Sequence, residues 1–209
     1  MVLSPLVLVA LALAMPVAHA FCTASVTSGR LSSCAFHPLL LVVARSGWVL
    51  SRQNCAETID PRALEDPPVL YYDLAEPDHL YTVTFVAEPN TSTGRYLQWL
   101  VVNVPESSLI NGMMYMDGDT IVDYLSPAPA RSVDDDEDDD DDDDGDGGDA
   151  DGQPTRYAFY VYEQVYGTIY PPTPSTRDSF DLDGWISTIY PEASLCGPVA
   201  SIGFGSVRQ

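Results

Sequence analysis

Basic residues are scarce in this chain: nine Lys and Arg stand against 31 Asp and Glu in 209 residues, giving a net charge of −22. A polyanion of this kind is a poor partner for nucleic acid and is repelled at long range by an anionic membrane. Histidine is scarce too. Of the three in the sequence, only His37 and His79 lie beyond the N-terminal segment, so serine–histidine hydrolysis and related acid–base chemistry have no visible constellation. No two cysteines are spaced as Cys-x-x-Cys, which argues against a zinc site. No apolar run is long enough to span a bilayer.

The first twenty residues carry no acid and no base. They run through an apolar stretch from Leu6 to Ala14 and end in Ala18-His19-Ala20, the small-x-small pattern of a signal-peptidase site. The expectation is a signal peptide over 1–20, a secreted chain beginning at Phe21, and one domain over 21–209. The four cysteines, Cys22, Cys34, Cys55 and Cys196, all fall in that mature part and suit two disulfides in an oxidising compartment. Their spacing leaves all three connectivities open. If Cys22 pairs with Cys34, for example, Cys55 is left for Cys196.

The negative charge is concentrated. Asp134–Asp144 is an unbroken acidic run of eleven, and with Asp146, Asp149 and Asp151 one tract holds fourteen of the acids. Mutual repulsion and the entropy of ordering oppose its folding, so 132–154 reads as a disordered insertion within the domain. Asp142-x-Asp144-x-Asp146-Gly147 matches the start of an EF-hand loop, but the twelfth position is Gln153 and no helical pattern flanks it. Diffuse cation binding is therefore expected, with no specific metal site and no cofactor.

Outside the tract the chain reads as all-β. Leu39–Val43, Val69–Asp73, Tyr81–Val86, Tyr96–Val104 and Tyr157–Tyr162 are short, rich in Val, Leu, Tyr and Phe, and bounded by turn residues. In the last of these Tyr157, Phe159 and Val161 alternate with Ala158, Tyr160 and Tyr162; both faces are apolar, which predicts a central strand. One short C-terminal helix is predicted from Leu182, Trp185, Ile186 and Ile189, capped at Asp178 or Ser179, weakened by Gly184 and limited by Pro191. Several strands with one late helix point to a Greek-key β-sandwich.

The segments Leu80–Pro105 and Arg156–Gln164, the latter ending in Val161-Tyr162-Glu163-Gln164, resemble the phosphatidylethanolamine-binding protein family. Asp60-Pro61 through Val69, Ile121-Val122-Asp123-Tyr124 and Leu195–Ser201 continue the resemblance in order along the chain. It implies a phospholipid head group or phosphorylated small molecule as ligand, or inhibition of a protease or kinase by surface contact; the lack of a catalytic constellation adds the expectation of a non-enzyme. The family pocket uses an Asp-Pro-Asp loop, a strand histidine and a Gly-x-His-Arg-Tyr element. Here Glu88-Pro89-Asn90 stands at the loop if one residue is inserted, and Ala87 takes the first position otherwise. Gln98 replaces the strand histidine, Thr155-Arg156-Tyr157 replaces His-Arg-Tyr, and Phe204 takes the place of a pocket tyrosine.

Two readings of that pocket stand side by side. Gln98, Thr155 and Tyr157 still offer neutral hydrogen-bonding groups for a polar head group, or the cavity is a relic. Asn90-Thr91-Ser92 is a glycosylation sequon in the same loop, so a glycan on Asn90 would cover the site. The alternative function is an extracellular acidic protein whose scaffold displays the polyanion to basic partners or divalent cations.

Overall fold

The computed structural model describes residues 33–88, 94–127, 155–189 and 194–206. The expected signal peptide, Cys22, Asn90 and the acidic tract lie outside the described residues. In chain order the strands are β1 (His37–Pro38), β2 (Leu40–Val42), β3 (Val49–Leu50), β4 (Thr58–Ile59), β5 (Val69–Tyr71), β6 (Leu80–Glu88), β7 (Tyr96–Pro105), β8 (Asp119–Val122), β9 (Thr155–Gln164) and β10 (Leu195–Ser206). Among the described residues two short α-helices, α1 (Glu106–Asn111) and α2 (Leu182–Ser187), and a 3-10 turn at Pro61–Leu64 complete the all-β fold.

A seven-stranded sheet runs β1-β10-β9-β6-β7-β8, with β4 also on β10, and a three-stranded sheet runs β3-β2-β5. The strands with the most apolar sequences, β6, β7 and β9, lie side by side inside the large sheet, because only strands covered on both faces tolerate near-continuous hydrophobic residues. The alternation in β9 is realised. Tyr157, Phe159 and Val161 enter a core shared with Leu41, Leu50 and Leu70 of the small sheet. Ala158, Tyr160 and Tyr162 enter a second core on the opposite face, against Leu182 and Trp185 of α2. In the first core Phe85 and Phe159, cross-strand neighbours on β6 and β9, stack with ring centroids 4.0 Å apart.

Two elements differ from expectation. α2 is capped by Asp181, whose carboxylate accepts from Gly184 N–H at 3.0 Å, so neither Asp178 nor Ser179 takes that role. Gly184 is an asset at that position: a Cβ there would collide with the Asp181 carboxylate and displace the cap. The longest strand, β10, was not evident as a strand, since Gly197, Pro198, Gly203 and Gly205 mask its pattern. Its register shifts between Cys196 and Ala200, and this bulge accommodates Pro198, which cannot donate to a ladder.

Cys34 and Cys55 form a disulfide, which excludes the pairing of Cys22 with Cys34. Cys196 is also disulfide-bonded, and no described cysteine is free. No helix among the described residues is long and apolar enough to cross a membrane.

Candidate functional site

Five of the six expected pocket residues meet at one end of the large sheet, where β6 and β10 finish and β9 begins. Glu88 lies opposite Arg156, and Tyr157 opposite Phe204, with Thr155 paired to Ser206. The pleat then divides them. Tyr157 and Phe204 turn into the first core, stacked with centroids 5.2 Å apart, and Phe85 packs against both. Ala87 joins that same core.

Glu88 faces the other way. It accepts the Tyr160 hydroxyl at 2.8 Å and lies 3.6 Å from Arg95. Burial, reinforced by Glu88, pushes the Tyr160 phenol far up, so the hydroxyl keeps its proton and remains a donor. Tyr162, one pleat repeat along, is pushed up by burial as well. Asp183 on α2 is raised by its own burial, against the pull of Arg95.

Gln98 stands apart as the extra residue of a β-bulge: Phe85 pairs with Trp99 and Val86 with Leu97, leaving Gln98 between them. Arg177 fastens the bulge, its guanidinium donating to the carbonyls of Leu97 and Gln98 at 3.2 and 3.0 Å. The Gln98 Oε1 is buried without a hydrogen-bond partner among the described residues. Arg156 is the exposed cation at this end of the sheet.

The opposite end of the same strands carries a cleft of about 550 Å³. Its polar lining comes from His37 on β1, Arg52 after β3, Tyr72 and Glu76 after β5, Tyr81 on β6 and Glu163 on β9. Tyr81 is fully buried; its hydroxyl accepts Glu76 N–H at 2.7 Å, and its pKa is pushed up to about 12, chiefly by burial. Tyr72 meets the Tyr81 ring edge-on at 6.1 Å. Its pKa is raised by burial first and then by Glu163, Glu76 and Asp73. Glu163 is paired with His79.

Sequence reasoning missed this cleft because its residues come from segments far apart in the chain. One signal was visible: Glu163 is an acid near the end of the otherwise apolar run from Tyr157. Among the described residues, no group of three His, Cys, Asp or Glu side chains is placed to hold a metal ion.

No protein-family model matches this chain, and no curated protein matches it significantly. Function must therefore be argued from these two sheet ends.

Proposed function

We propose that this chain is an exported, phosphatidylethanolamine-binding-like module, a Greek-key β-sandwich that acts by binding and not by catalysis. The ligand is a phospholipid head group or phosphorylated small molecule, or the module inhibits a protein partner by contact. The observation that carries the reading is the adjacency of β9, β6 and β7 in the sheet: the segments on which the family resemblance rests are neighbours in space. Their ends also gather Glu88, Thr155, Arg156 and Tyr157, which the resemblance assigns to the pocket. Arg156 supplies an exposed guanidinium for a charge-assisted contact to phosphate.

A second reading, display of the acidic tract to basic proteins, is favoured by how little free chemistry this end retains. Glu88 is engaged by Tyr160 and Arg95, Phe204 carries no hydroxyl, and the Tyr157 ring is stacked in the core.

The test is titration of the mature protein, with and without 133–152, against vesicles containing phosphatidylethanolamine. Saturable binding weakened about tenfold by Arg156→Ala and by Tyr157→Phe supports the pocket. Vesicle binding that neither variant alters rejects it. Salt-sensitive binding of a basic protein, lost with the tract, supports display.

A further inference from the structure

The cleft at the Glu163 end has two chemically different walls. In the large sheet β10 lies between β1 and β9. On the β1 side are His37 and the guanidinium of Arg52, which makes no ion pair among the described residues. On the β9 and β6 side are the carboxylates of Glu76 and Glu163 with the rings of Tyr72 and Tyr81. Pro198 and Val199 of β10 line the space between.

Tyr72 supplies an independent pointer to a ligand. The residue is only 5% exposed and lines the cleft, yet its hydroxyl makes no hydrogen bond among the described residues. The ring is buried while the hydroxyl, at the cleft surface, is a donor and acceptor open to a bound polar group.

The charges decide the class of ligand. A simple anion would meet Arg52 but also two carboxylates. A simple cation would meet the carboxylates but also Arg52. A molecule carrying both charges satisfies both walls. We propose that this cleft is a binding site for a small zwitterion, its ammonium held by Glu76 and by Glu163, which also lies against His79, its anionic group by Arg52, with the Tyr72 hydroxyl bonded to the bound molecule. The volume of about 550 Å³ falls within the range of small-molecule sites. This site is separate from the pocket at Glu88 and Arg156 and does not depend on it.

The experiment is calorimetric titration of the mature protein with four soluble probes: phosphoethanolamine and glycylglycine as zwitterions, ethanolamine as the cation alone, and inorganic phosphate as the anion alone. Vesicles of phosphatidylethanolamine form a separate arm that distinguishes a lipid-borne head group from a free one. The expected result is saturable binding of at least one zwitterion, tenfold or more tighter than either half, weakened at least tenfold by Arg52→Ala and by Glu76→Gln. Both of those side chains are exposed at the rim, so neither change threatens folding. Tyr72→Phe should weaken binding with the thermal midpoint retained, and Arg156→Ala should leave it unchanged. No saturable binding by either zwitterion, equal affinity for the halves, or indifference to Arg52→Ala and Glu76→Gln overturns the proposal. Vesicle binding abolished by Arg156→Ala and untouched by Arg52→Ala would place the head group at the other end of the sheet, supporting the pocket there and rejecting this cleft.

Discussion

Gln164 and Asn103 hold each other through two hydrogen bonds: Gln164 Nε2 donates to Asn103 Oδ1 and Asn103 N–H donates to Gln164 Oε1, both at 2.8 Å. The same Gln164 amide also accepts Thr82 Oγ1 at 3.0 Å and donates to Gly167 O at 2.8 Å. Asn103 passes the connection on, accepting Ile169 N–H at 2.9 Å and donating to Ile169 O at 2.9 Å. Its φ of 58° marks a bulge position that Asn tolerates better than most residues. A partly buried hydrogen-bonded network thus ties β6, β7 and β9 to the segment that follows β9.

Gln164→Leu keeps the volume and removes all four bonds, leaving the buried Thr82 hydroxyl and the part-buried Asn103 N–H and Gly167 carbonyl without their partners. Several such penalties of about 1–3 kcal/mol each, partly relieved by relaxation, predict a loss of about 3 kcal/mol in unfolding free energy. Denaturant titration measures it, and hydrogen exchange at Ile169 N–H should accelerate well beyond the global change. An unaltered midpoint would show that the network contributes nothing.

The Cys34–Cys55 bond closes a loop of sequence separation 21 and brings its far side onto β10. There Ala56 N–H donates to Gly203 O at 2.8 Å and Gly205 N–H to Glu57 O at 2.8 Å, and β4 pairs with the end of β10. The loop length predicts that the double change Cys34→Ala, Cys55→Ala costs about 3 kcal/mol. Because β1 and β4 have only two residues each, protease cleavage should appear first between them in the variant. Cleavage elsewhere, or none, would mean that the pairing on β10 holds without the bond.

How much of this was legible in the sequence follows the physics of each element. The strands β6, β7 and β9 stood out because both of their faces are buried, and β9 showed which side chains go to which core. β10 is equally buried, but Gly, Ser, Ala and Pro interrupt its Leu195, Val199, Ile202 and Phe204 and erase the alternation; its membership is decided by nine register partners on β9 that no local window contains. Asp178, Ser179 and Asp181 are all acceptable caps, and only the bond to Gly184 selects Asp181. At the expected pocket, the sequence brought Glu88, Arg156, Tyr157 and Phe204 to one sheet end but could not say that the pleat would turn Tyr157 inward and Glu88 outward. The cleft was invisible for a related reason, since His37, Arg52, Tyr72 and Glu163 share no periodicity.

The last prediction concerns alkaline pH and Tyr81. Its phenol is fully buried, accepts Glu76 N–H, and has a pKa raised from 10.0 to about 12, burial first and Glu163 and Tyr72 adding to it. Below pH 10 folded and unfolded chains both hold this proton, so its contribution is fully present. Between pH 10 and about 12 the unfolded chain has lost the proton while the native chain keeps it, so stability falls as pH rises, by up to about 1.4 kcal/mol per pH unit for this one group. Tyr81→Phe removes that term. The variant should be about 1 kcal/mol less stable at pH 8, where Glu76 N–H loses its acceptor, yet its stability should decline less steeply from pH 9.5 to 11.5. Denaturant midpoints at those pH values, with phenolate absorbance followed in parallel, give the comparison. Parallel declines in the two proteins would mean that Tyr81 ionises in the native state as readily as in the unfolded chain, and the cleft floor would then be open to water instead of desolvated.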